Sequence, residues 1–171
     1  MNTGLIHAAA EMLPDGMTMD IYDLRHLPLY NADDERAGPP PEVAKFKSAV
    51  DRADALLIAT PEYNYSPSGV LKNALDWISR GENAPLDHKP VAIMGAAGRF
   101  GTVRAQLHLR QILLHNSAPV MMDPEVHVMR GRHKFDSDGR LTDEETRTEV
   151  AELVAALYDW ALRWRRAPLP I

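Results

Sequence analysis

Two apolar runs, DALLIAT at 54–60 and VAIMGAAG at 91–98, constrain the fold of this chain more than any other feature. Each is long enough for a strand, neither alternates with polar residues, and each leads through a Pro- or Gly-rich turn into a helical pattern. A strand that is apolar on both faces must be covered on both faces, and helices following each strand supply that cover. The order strand, turn, helix, repeated, predicts an α/β fold with a parallel sheet between helical layers. In such sheets ligands sit beyond the carboxyl ends of the strands, near the point where strand order reverses. The turns TPEYNYSPSG and GAAGRFG fall there.

The rest of the chain fits around this frame. Residues 3–13 read as a short helix with Leu5, Ile6, Ala9, Met12 and Leu13 on one face, and MTMDIY at 17–22 alternates like an edge strand. A loop at 27–41 is long enough to suspect a functional or interface role. Helices are expected at 42–52, about 67–80 and about 102–115, with a short strand near 119–122 and an irregular segment to 141. Thr142 with Glu145 three residues on resembles a capping box for a last helix, whose stripe is Val150, Leu153, Val154, Leu157, Ala161 and Trp164. A chain of 171 residues is expected to form one domain over 1–171 and to bury about two-thirds of its unfolded surface.

Composition narrows the function classes. A net charge of −5, with 25% charged residues, leaves no concentrated basic surface for nucleic acid or an anionic membrane. The basic cluster Arg163, Arg165 and Arg166 ends the last helix, where it complements the helix dipole. With no cysteine, disulfides and thiolate chemistry are excluded. No apolar stretch approaches the roughly 18 residues of a membrane span, so a cytoplasmic protein is the expectation. The seven histidines show no HExxH or comparable spacing, so no catalytic metal is expected, and no GxSxG elbow supports a hydrolase. His108 and Arg110 are read as helix-packing or subunit-contact residues.

Within PEYNYSPSG, Ser66 and Pro67 read as the N-cap and first residue of the following helix. Capping does not account for Glu62, Tyr63, Asn64 and Tyr65. A loop of that kind can present backbone donors, an amide and aromatic rings to a flat heteroaromatic ligand, or it can be a merely structural turn. Gly95, Gly98 and Gly101 are spaced GxxGxxG, not the GxGxxG of a dinucleotide-binding turn. They allow close backbone approach to a ligand, or simply tight helix–strand packing.

TPEYNYSPSGVLKNALDWISR closely resembles the signature of the NADPH-dependent FMN reductases, the flavodoxin-like group that contains quinone, chromate and azo reductases. VAIMGAAGRFGTVRAQLHLRQIL is similar to that family's second flavin loop and its helix, and YDLRHLPLYNADDE to its early loop. The resemblance implies a flavodoxin-like three-layer α/β/α sandwich, an FMN held noncovalently at the strand ends, and a homodimer or homotetramer. It implies that NADPH or NADH reduces the flavin, which passes electrons in ping-pong order to a quinone or similar acceptor, without a side chain acting as acid or base. By motif position, Pro61, Glu62, Tyr63 and Asn64 would shape one side of the ring pocket, and Ala97, Gly98, Arg99 and Phe100 the other. The family's first strand and its GSLRxxSxN phosphate loop have no counterpart here beyond Asn2, so Asn2, Thr3 and the first-turn amides remain as phosphate contacts. The first strand of the sheet is therefore expected to be missing. A noncatalytic flavodoxin-like oligomer that has lost FMN is the alternative.

Overall fold

The computed structural model describes residues 1–166. Three parallel strands form the sheet: β1 (Leu56–Ala59), β2 (Val91–Ala96) and β3 (Val126–Val128), in the order β1-β2-β3. Leu56 stands opposite Val91, and Met94 opposite Val126. The helices are α1 (Asn2–Glu11), α2 (Ala32–Ala37), α3 (Pro41–Arg52), α4 (Gly69–Ile78), α5 (Val103–Leu113) and α6 (Glu144–Arg166).

All six residues of β2 are buried, and its alternation divides the core. Val91 and Ile93 face a layer of α3, α4 and α5, where they meet Val43, Phe46, Leu75 and Leu109. Ala92, Met94 and Ala96 face α1 and α6, where they meet Leu5, Ala9, Val150, Leu153 and Leu157. The result is the three-layer α/β/α sandwich that the apolar runs require. Gly95 belongs to the first face. A Cβ there would lie 2.3 Å from the Thr60 carbonyl oxygen and 2.4 Å from Thr102 Oγ1, so only glycine lets the end of β1 and the start of α5 close over β2. Its reason is packing.

The 27–41 region is held by α4. Asn73 accepts the Tyr30 N–H at 2.8 Å and donates to the Pro28 carbonyl at 2.8 Å. Trp77, fully buried, donates its indole N–H to the same carbonyl at 2.9 Å and meets Tyr30 edge-on. The segment also contains α2, so it is more ordered than a loop of that length suggests.

Several sequence expectations need correction. MTMDIY joins no sheet among the described residues: Met17 and Met19 pack against the α1/α6 half of the core, while Ile21 and Tyr22 are exposed. A strand needs a ladder neighbour, and none stands beside the segment. Both faces of the 54–60 run are packed, Leu56 and Ile58 on the α3–α5 side and Leu57 and Ala59 on the α1/α6 side, but its burial is incomplete along one edge. The outer edge of β1 has no strand partner among the described residues, and within β1 only Ile58 is buried. Near 119–122 the chain touches β2 through a single Val120–Val91 bridge, and the true third strand lies at 126–128, inside the stretch expected to be irregular. The helix after PEYNYSPSG is capped by Ser68, whose Oγ accepts the Leu71 N–H at 3.3 Å. Ser66 stands ahead of the cap position, in the hairpin with Tyr63, and its Oγ meets His108 Nδ1 at 3.0 Å instead. Likewise Asp143, not Thr142, caps α6, accepting the Thr146 N–H at 3.0 Å. Arg165 pairs with Asp54 at 2.7 Å, and the Arg166 side chain lies outside the described residues.

Candidate functional site

The turn after β1 is a small hairpin. Tyr63 and Ser66 exchange both backbone N–H···O bonds at 3.0 Å, and the two residues between them, Asn64 and Tyr65, have φ of 50° and 65°. Two successive left-handed residues are what a type I′ turn requires. Asparagine tolerates that conformation, whereas tyrosine rarely adopts it. Tyr65 is held in place from outside, with the Arg104 guanidinium 4.2 Å from its ring centre and 4.7 Å from that of Phe100.

Glu62 points the other way. Its Oε2 accepts the N–H groups of Arg104 and Ala105, both at 3.0 Å, and its Oε1 meets the Arg104 guanidinium at 3.4 Å. It therefore closes the N-terminus of α5, where Thr102 provides no side-chain cap, and places a carboxylate at the positive end of that helix. The two loops at the strand ends are joined through this one side chain.

The second loop is fastened to the end of β3. Ala97 donates to the Val128 carbonyl at 3.1 Å, Arg130 to the Gly98 carbonyl at 2.7 Å, and Gly131 to the Ala97 carbonyl at 2.9 Å. A Cβ on Gly131 would come within 2.9 Å of Met1 Sδ and 3.3 Å of Ala96 Cβ, so the chain passes close over the end of β2 at this residue. On the opposite side, the Asn2 side chain imitates a strand: its Nδ2 donates to the Ala96 carbonyl at 3.0 Å and its Oδ1 accepts the Ala96 N–H at 2.9 Å. The first turn of α1 has no side-chain cap, which leaves its leading N–H groups available.

These pieces enclose a cleft of about 640 Å³ at the carboxyl ends of the strands. Pro61, Glu62 and Tyr63 line it from the first loop, Ala97, Gly98 and Arg99 from the second, and Asn2 and Thr3 from the start of α1. Asn64 and Phe100, also predicted, do not line it. Asn64 shapes the hairpin from outside, and Phe100 lies under Arg104. Sequence reasoning missed Met1, Ala96 and the run Arg130, Gly131, Arg132 and His133, which complete the lining. The signal for that run was its two arginines around a glycine, hidden because a three-residue strand leaves no periodicity to mark the segment as a strand end.

His108 and Arg110 lie outside the cleft. His108 Nδ1 is 3.0 Å from Ser66 Oγ, which braces the hairpin against α5. Arg110 donates to the Met121 carbonyl at 2.6 Å and pairs with Glu125 at 3.6 Å.

The cleft suits a flat, phosphorylated cofactor. Its volume is within the roughly 300–1,000 Å³ of small-molecule sites. Nothing occupies the space where a Gly98 side chain would be, so backbone is bare on one wall. The uncapped start of α1, whose Asn2 and Thr3 line the cleft, is suited to an anion.

The family model for NADPH-dependent FMN reductases matches residues 1–133. The chain belongs to that family. An NAD(P)H-dependent FMN reductase from Pseudomonas aeruginosa is 46% identical over 96% of this chain and 89% of that protein. A 2-hydroxy-1,4-benzoquinone reductase from a Burkholderia species is 42% identical over 93% of this chain and 87% of that protein. Among solved structures, FerB, an NAD(P)H:(acceptor) oxidoreductase from Paracoccus denitrificans, superposes with a TM-score of 0.83 at 30% identity, covering 95% of this chain and 90% of its own. As an FMN reductase by family, the chain keeps the α/β/α architecture with three described strands.

Proposed function

We propose that this protein is an FMN-dependent NAD(P)H oxidoreductase that reduces quinones and similar small acceptors. The observation that carries the reading is the cleft itself: two backbone walls, fixed to one another by Glu62, stand over an uncapped helix start at the strand ends. The names of the relatives support it, since they are FMN and quinone reductases.

FMN bound here would supply two-electron chemistry between the nicotinamide donor and the acceptor. The chain's own part is to hold and orient. Pro61, Glu62 and Tyr63 form one side of the ring site, with Asn64 setting the turn that carries them. Ala97, Gly98 and Arg99 form the other side, and Phe100 packs beneath Arg104. Asn2 fixes the start of α1 to β2, and Thr3 belongs to the first turn, which offers its amides to the phosphate. No side chain in the cleft is needed as a proton donor or base. Donor and acceptor would use the same open face in turn, a ping-pong order that extends to chromate or azo acceptors if the face admits them.

A homodimer is part of this reading. Phe100, Val103 and Leu107 leave an apolar strip exposed at 51%, 40% and 60% beside the hairpin, a fair surface for a second copy. No described helix is long and apolar enough to cross a membrane, and the reading places the protein in the cytoplasm as one domain.

The test is direct. Purified protein should bind FMN, turn yellow, and oxidise NADPH or NADH when benzoquinone is added. Protein that stays colourless and inactive with excess FMN would overturn the reading.

A further inference from the structure

The run MRGRH places two guanidinium groups on either side of a glycine at the mouth of the cleft. Its backbone is fixed. Arg130 sits in the left-handed region with its N–H on the Gly98 carbonyl, and Gly131 is pressed against Met1 and Ala96. Arg130 and Arg132 are thereby fixed where β2 ends and α1 begins.

Among the described residues their charge has no ion-pair partner. This chain holds more Asp and Glu than Lys and Arg, and Arg25, Arg36, Arg104, Arg110, Arg147 and Arg165 each pair with a carboxylate. Arg99, Arg130 and Arg132 pair with no described residue, yet all three line the same cleft. Other arginines without an ion pair, such as Arg140 and Arg163, do not line it. Three cations without an ion pair among the described residues, Arg99 resting over the Phe100 ring at 5.2 Å, line one concave surface of an acidic protein and concentrate a positive potential there. The uncapped start of α1 adds its partial positive charge to the same space. The Asn2 amide spends one of its two N–H donors on the Ala96 carbonyl, so a full phosphate ligand set needs donors beyond it.

We infer that Arg130 and Arg132, assisted by Arg99, form the receptor for a phosphate monoester at the rim of this cleft. A planar guanidinium fork fits phosphate oxygens two at a time, and a dianion matches the surplus charge. The inference rests on the flavin reading, under which two such groups can reach the cleft: the 5′-phosphate of FMN and the 2′-phosphate that distinguishes NADPH from NADH.

The experiment compares wild type with an R130Q/R132Q double variant. Both side chains are exposed, so the variant should keep the wild-type circular dichroism and Tm. Binding of FMN and of riboflavin is followed by quenching of flavin fluorescence. Binding of adenosine 2′,5′-bisphosphate and of AMP to the FMN-loaded protein is followed by calorimetry. The expected result is an FMN Kd raised about tenfold or more, with riboflavin changed less than about twofold, and a flatter dependence of FMN binding on salt. An unchanged FMN Kd with a tenfold loss for adenosine 2′,5′-bisphosphate alone also supports the receptor and assigns it to the dinucleotide. R130K/R132K should recover part of either loss. If wild type binds FMN but neither phosphate ligand weakens in the double variant, the inference is overturned and the flavin reading stands. Wild type that quenches neither flavin overturns both.

Discussion

Single residues in this site do their work through the backbone. Asn64 was legible as part of a binding motif, but the structure places it outside the cleft lining, at φ 50° in the hairpin that carries Tyr63. Its contribution to flavin binding should therefore be conformational. Asn64→Gly, which adopts the left-handed region freely, should bind FMN as wild type does. Asn64→Ala should lose about 1 kcal/mol in the turn and raise the FMN Kd roughly fivefold. Titration of flavin fluorescence in the two variants checks this, and an equal loss in both would return Asn64 to direct ligand contact. Asn2 makes the same point from the other wall. Its place in the motif was readable, yet its pairing with both backbone groups of Ala96 was not, because residues 94 positions apart meet only once the sheet exists.

At the level of elements, the buried runs and amphipathic stripes were readable because burial imposes periodicity, and β2, α3, α5 and α6 stand within a few residues of their predicted limits. The caps were not readable with the same accuracy. Ser66 and Thr142 have the right chemistry, but Ser68 and Asp143 have the geometry, and neighbouring polar residues compete for a helix start on tertiary grounds. Asp143 also receives the Lys134 ammonium at 2.7 Å and the Thr146 hydroxyl at 2.6 Å. Those bonds, the lysine's first, hold its carboxyl down to about 2. A depressed carboxyl pKa contributes stability that is complete above the unfolded value and is lost as pH falls through the folded one. Wild type should therefore lose stability from this pair between roughly pH 4 and pH 2. Asp143→Asn should be less stable than wild type at neutral pH, and the gap should close across that window. Thermal unfolding at stepped pH checks it, and a gap that stays constant down to pH 2 would show that the charge of Asp143 is immaterial.

For the whole molecule, the sheet and the cleft account for only part of the surface. Around the hairpin and along α5 the chain exposes Tyr65, Phe100, Val103 and Leu107, residues that a monomer of net charge −5 would ordinarily cover. Val103 and Leu107 are four apart on α5 and so share one stripe, while Leu109 and Leu113 on the opposite side are fully buried. A helix apolar on both sides, one turned to the core and one to solvent, is suited to an isologous contact in which each copy presents the same strip to the other. The strip also begins at Phe100, next to the second loop of the cleft, so pairing would cover the hairpin and restrict water at the ring site. Leu107→Glu places a charge at the centre of this strip twice over, once from each copy. With about 1.5–3 kcal/mol for each buried leucine, the dimer constant should weaken by well over tenfold. Sedimentation at micromolar protein should show a dimer for wild type and a monomer for the variant, with unchanged circular dichroism because the side chain is 60% exposed in the single chain. The monomer should also bind FMN more weakly, since the open side of the cleft would face water. A variant that sediments like wild type would remove α5 from the interface and leave the exposed strip to another partner.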